Sequence, residues 1–188
     1  MRIPSGEQLG KTAGFTLIEV VLVVLIIGII VSMAGLSITQ SGNDRLLAEE
    51  AKRVAGLMNL LSQEATISGK QYAVRIHQDG YEFWWFDKGD WLPIEAGSTF
   101  GPRQWSAPFQ TALEVEGERI EIPFKESSEP APQIYFLSSG EMSAYRMILA
   151  LSNTQGQSVP PWLIEGNYIG KSRIRELKDD EWLPLLSH

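Results

Sequence analysis

Apolar and polar positions divide the chain into three stretches with different periods. From Phe15 to Leu36 the sequence FTLIEVVLVVLIIGIIVSMAGL carries one charge, Glu19, in twenty-two residues. A helix resting on a soluble core shows a polar stripe, and this run has none. At about 1.5 Å per residue a helix of that length crosses the roughly 30 Å hydrocarbon layer of a bilayer. A secretory signal would have a shorter apolar stretch, about 7 to 15 residues, ended by small residues. The prediction is a membrane helix over 15–36.

Beyond the polar break Ser41-Gly42-Asn43-Asp44, apolar residues return at Leu47, Ala51, Val54, Met58, Leu61 and Ala65. Steps of four and three keep them on one helix face. Glu49, Glu50, Lys52, Arg53, Asn59, Gln63 and Glu64 are expected on the solvated face, with Gly69 as the stop. From Gln71 the period becomes two: Tyr72, Val74 and Ile76 alternate with Ala73, Arg75 and His77, as in a strand. Asp79-Gly80 signals a hairpin into YEFWWF, which a second turn cluster, Asp87 to Asp90, closes. Further strands are predicted in LEVEGERIEIPF, at Ile134 to Leu137, at Tyr145 to Leu151, and in WLI and YIGKSRIREL, split at Gly166-Asn167. Stretches 125–133 and 152–161 read as surface loops. The expected fold class is α+β: a long hydrophobic N-terminal helix whose amphipathic second half packs on antiparallel sheet. The expected divisions are 1–14, 15–36, 37–69 and 70–188.

Charge orients this plan. The net charge is -7, yet residues 1–14 hold Arg2 and Lys11 against Glu7. Cations at that end keep the leader cytoplasmic and place the C-terminal body outside. The acidic body disfavours nucleic acid, which rewards clustered cations. With no cysteine there is no disulfide and no thiolate ligand or nucleophile. His77 and His188 are too far apart for a short metal motif, and His77 is expected to face solvent. Asp79, Glu82, Asp87 and Asp90 gather at turns without the ordered spacing of a calcium loop. Neither a nucleophile elbow nor a phosphate loop nor a zinc signature is present, so no catalysis, metal or cofactor is expected.

The chemistry lies at the junction Lys11-Thr12-Ala13-Gly14-Phe15-Thr16-Leu17-Ile18-Glu19-Val20. A carboxylate inside an apolar span costs about 2.5 to 3.5 kcal/mol on insertion scales unless something pairs with it. Glu19 stands four positions into the run, so it either snorkels to water or has a partner. The junction resembles the class III signal of type IV pilins and type II secretion pseudopilins: a small residue, an aromatic, an apolar run, and an acid at the fifth mature position. The resemblance implies that a prepilin peptidase cuts between Gly14 and Phe15 and methylates the Phe15 amine. It also implies that Glu19 neutralises the N-terminal amine of a neighbouring subunit during assembly.

Residues LLAEEAKRVAGLMNLLSQEATISGKQYAV, and Ile134 to Glu141 with the strand to Leu151, are similar to the GspH/FimT group of minor pseudopilins. That likeness implies a minor subunit of a type II secretion pseudopilus, acting in protein export. It would be held in the bacterial inner membrane by a single pass, with its C-terminal domain in the periplasm, and would contact the major pseudopilin and other minor ones. The alternative it implies is a FimT-like minor pilin of a type IV pilus, serving pilus assembly or DNA uptake through basic residues such as Lys171, Arg173 and Arg175. A tethered periplasmic binding protein would share the apolar helix but keep residues 1–14. One further surface is suggested by the residues alone. Alternation can bury only about half of the aromatic run Tyr81 to Phe86, so Trp84 and Phe86 form a candidate partner patch unless the 98–108 loop covers them.

Overall fold

The computed structural model describes residues 16–126, 130–152 and 159–178, except for the side chains of 33–41. Two compact units meet between Thr39 and Gln40. Helix α1 is assigned from Leu17 to Ser68, 52 residues. Ser41-Gly42-Asn43-Asp44 therefore lie in helical backbone, and the polar break is a change of surface character.

In the first unit, the Thr16 carbonyl accepts from the Glu19 and Val20 amides at 3.1 and 3.3 Å, so helical bonding starts there. The apolar side chains from Leu17 to Val31 are exposed, with Leu17 at 86% and Ile18 at 76%. Ser32 turns its hydroxyl onto the Gly28 carbonyl at 2.8 Å, a back-bond that spends the polar group within the helix. Among the described residues no helix is long and apolar enough to cross a membrane. The predicted span 15–36 runs past both ends of the described side chains, Thr16 to Ser32.

The second unit is built on the other part of α1. Leu47, Ala51, Val54, Met58, Leu61 and Ala65 are all fully buried, as their spacing predicts. Among the described residues ten strands follow: β1 Tyr72–His77, β2 Gly80–Asp87, β3 Asp90–Pro93, β4 Arg103–Gln104, β5 Phe109–Val115, β6 Glu118–Ile120, β7 Ile134–Phe136, β8 Tyr145–Leu151, β9 Trp162–Asn167 and β10 Lys171–Glu176. They form two antiparallel sheets, one ordered β3-β2-β1-β7 with β4 on β2, the other β10-β9-β8-β5-β6. Both inner faces share one core with the helix stripe: Val74, Ile76, Tyr81, Phe83 and Ile134 from the first sheet, Leu113, Tyr145, Met147 and Ile164 from the second. Full burial of each such side chain is worth about 1.5 to 3 kcal/mol.

Three expectations are corrected. The last hairpin turns at Tyr168-Ile169-Gly170, since β9 runs through Asn167, and Gly170 supplies the positive φ of 76° that the turn requires. Strand β1 is buried on both faces, because the backbone around Pro123 to Lys125 lies against its outer side. There the Arg75 guanidinium donates to the carbonyls of Phe124 at 3.0 Å and Lys125 at 3.2 Å, and the Gln78 amide donates to that of Pro123 at 3.0 Å. His77 is buried, at 1% exposure, not solvent-facing. Its Nδ1 accepts from the Asp79 amide at 3.2 Å, and burial lowers its pKa despite Glu82 nearby. Glu50 is also buried, not solvated. It pairs with Arg53 at 2.6 Å and accepts from the Ser106 hydroxyl at 2.8 Å, pinning the segment before β5 to the helix.

Candidate functional site

The residues singled out by sequence fall into separate places. Gly14 and Phe15 lie outside the described residues. Glu19 is in the first turn of α1, exposed among exposed aliphatic side chains. A helix N-terminus carries partial positive charge that suits an acid in that turn. The helix thus presents one carboxylate in a continuous apolar surface, which can pair a single cation and be covered by lipid or by other apolar helices.

On the first sheet, Trp84 and Phe86 share the outer face, but Trp84 is only 7% exposed and does not form surface. The exposed aromatic group is Phe86, in contact with Trp91 at 5.2 Å between ring centroids, and Tyr135, 5.3 Å beyond Trp91. The 94–108 segment covers the inner face instead: Phe100 meets Phe83 at 5.6 Å and Trp105 meets Tyr81 at 5.0 Å. That burial pushes the Tyr81 hydroxyl up to about 12.

On the second sheet, Lys171, Arg173 and Arg175 are exposed along β10, as alternation predicts. Of the three, Arg173 faces an opposite charge across the strands. Across the strands Arg173, Glu165, Arg146, Glu114 and Arg119 are successive opposite neighbours, with Arg146 3.8 Å from Glu114. Opposite charges facing each other across strands stabilise by about 0.2 to 1 kcal/mol each. Asp79, Asp87 and Asp90 sit at tight turns, the second opened by Lys88 and Gly89 at positive φ. Among the described residues no cluster of three or more acids or histidines could hold a metal ion.

Sequence reading missed three side chains that finish strand edges. Asn59, from the helix, donates to the Ser172 carbonyl at 3.1 Å and accepts from its amide at 2.8 Å, mimicking a strand beside β10. Gln133 does the same for Ile76 at 3.1 and 2.7 Å, beyond the end of β7. Ser143 closes the free side of β7: its hydroxyl accepts from the Tyr135 amide at 3.2 Å, and its amide donates to the Tyr135 carbonyl at 2.9 Å. Nothing in their sequence neighbourhood marks these polar residues as different from any other solvated position.

With this arrangement in view, comparison with known proteins is direct. The family model for type II transport protein GspH matches residues 50–160, and that for the prokaryotic N-terminal methylation motif matches residues 9–35. Type II secretion system protein H of Pseudomonas aeruginosa is 34% identical over 151 residues, covering 78% of this chain and 87% of that protein. The protein of the same name from Aeromonas hydrophila is 24% identical over 181 residues, covering 91% and 96%. The crystal structure of the minor pseudopilin EpsH from the type II secretion system of Vibrio cholerae superposes with a TM-score of 0.57 at 24% identity, covering 70% of this chain and 97% of that one. The solution structure of Escherichia coli GspH gives 0.51 at 15% identity, covering 76% and 92%. These structures share the pilin-like architecture of a helix packed on antiparallel sheets. The chain belongs to the GspH family, the minor pseudopilins called protein H of type II secretion systems.

Proposed function

We propose that this chain works as an assembled subunit of a type II secretion pseudopilus, made as a precursor and inserted once across the inner membrane. In this reading residues 1–14 face the cytoplasm and the apolar helix anchors the chain. The sheet-bearing unit folds in the periplasm. Prepilin peptidase cuts between Gly14 and Phe15 and methylates the new amine. Glu19 then pairs with the N-terminal amine of a neighbouring subunit, and the helix exchanges lipid for other pseudopilin helices of similar apolarity. The observation that carries the reading is the single carboxylate in the first turn of an otherwise exposed apolar helix. A carboxylate so placed is costly without a cation, and cleavage at the matched methylation motif would supply one.

The test separates processing from assembly. Glu19→Ala should be cut and inserted normally, then fail to enter filaments. Wild-type incorporation of this variant would refute the pairing. N-terminal sequencing of the native protein should begin at Phe15, and a product still beginning Met1-Arg2-Ile3 would overturn the reading as a whole.

A further inference from the structure

The edges of the two sheets are treated unequally. β10 is capped by Asn59, β1 beyond β7 by Gln133, and β7 by Ser143. Unpaired edges otherwise invite another strand, and proteins commonly blunt them. Among the described residues, one edge of β5 has no such device. β5 pairs with β8 along its whole length, Phe109 to Val115, but with β6 only from Leu113 to Val115.

The direction of the bare groups follows from the ladder. The β5–β6 hairpin turns on Glu116-Gly117, both at positive φ (53° and 84°), so Val115 and Glu118 are the hydrogen-bonded pair that closes it. Backbone groups of Leu113 and Val115 therefore point toward β6. The even positions point to β8, as the flanking bonds from the Glu116 amide to Ala144 and from the Ser152 amide to Pro108 also require. By alternation, the N–H and C=O of Phe109 and Thr111 face the side that β6 vacates, and no hydrogen bond to them on that side occurs among the described residues. β6 ends at Ile120, and beyond it the chain leaves β5, with the Pro123 carbonyl taken by the Gln78 amide. The departure opens a cleft of about 1380 Å³ along the bare edge, lined by Asp79, Trp105, Phe109, Thr111, Ile120 and Ile122 among others.

We infer that the open edge of β5 at Phe109 to Thr111, with its cleft, is a strand-addition site for an extended segment of a neighbouring pseudopilin. Two carbonyl and amide pairs spaced two residues apart match a peptide backbone and little else. The inner wall is apolar at Trp105 and Phe109, whereas Gln110, exposed, and Arg119 lie on the outer side. The incoming strand therefore alternates apolar and polar residues. This site rests on the proposed role as a filament subunit, because only assembly brings such a segment beside the chain.

The test uses full-length chain in detergent, mixed in turn with the purified major pseudopilin and each other minor pseudopilin of the same machine. Hydrogen exchange at the Phe109 and Thr111 amides should be fast in the chain alone and slow by about tenfold or more in one mixture. The Gln110 and Ala112 amides, already in the β8 ladder, should change little. Thr111→Pro removes a donor that only the added strand would use, and proline is tolerated on such an edge. It should reduce capture of that partner by about tenfold, the scale of one backbone hydrogen bond, while Gly14–Phe15 cleavage and the melting midpoint are retained. Protection of Thr111 in the chain alone would overturn the inference, whether independent of concentration, as for residues 179–188 covering the edge, or dependent on it, as for a second copy. A partner that binds while Thr111 stays fast would overturn the site but leave the filament role standing. Failure of wild-type chain to be captured by any pseudopilin would remove both.

Discussion

At the scale of single residues, burial and hydrogen bonding decide outcomes that residue type alone does not. His77 shows this. Desolvation lowers its folded pKa below the ordinary value near 6.5, and Arg75 and Lys125 push the same way, while Glu82 and Asp79 oppose. The unfolded chain therefore binds a proton more readily than the folded one just below pH 6.5. Stability contributed by neutral His77 is complete above that pH and falls as acid is added, down to the folded pKa, below which the loss is constant. The unfolding midpoint should drop between pH 7 and pH 5, and His77→Gln should flatten this dependence by removing the titrating group. An equally steep profile in the variant would move the effect to the carboxylates. Tyr145 behaves as the neutral counterpart: burial pushes its hydroxyl up, so it stays protonated and donates to Ser172 Oγ at 2.8 Å.

Among elements, the apolar stripe of α1 from Leu47 to Ala65 was legible, because one stripe faces one core and its spacing has a single solution, whereas the burial of Glu50 beside it was not. Met58 is fully buried there whereas Leu60, two positions away, is 42% exposed. Met58→Ala should cost about 2 to 5 kcal/mol in chemical denaturation and Leu60→Ala much less; equal losses would mean the stripe is misplaced. The strands were legible by period, but not their division between two sheets, since pairing of β1 with β7 and of β5 with β8 joins positions far apart in sequence. β3 and β4, at four and two residues, are too short to display a period. At Gly80 a side chain would stand 1.9 Å from the Arg103 carbonyl, a close approach set by the β2–β4 pairing. The burial of His77 and Arg75 was invisible for a similar reason. Alternation assigns faces correctly, but only the fold reveals that the 121–126 segment returns to cover the outer one.

For the whole molecule, the two units have opposite surface physics. Residues 1–39 hold two cations and two carboxylates, so the fourteen cations and twenty-one carboxylates from Gln40 onward account for the entire net charge of -7. Among the described side chains, those buried in the core come from Leu47 or later. The second unit thus has a core of its own, and the exposed aliphatic surface described in the first unit exceeds anything a soluble monomer normally carries. A chain beginning at Gln40 should be soluble without detergent and unfold in one transition, with a midpoint within a few degrees of the full-length protein in micelles, since a shift of that size corresponds to under about 1 kcal/mol. On the proposed function it should also be absent from filaments, because it lacks the helix and the amine that cleavage before Phe15 would free. If removal of residues 1–39 broadened or abolished the transition, the apolar helix would be contributing to the fold. The assignment of that helix to membrane and filament contacts would then have to give way.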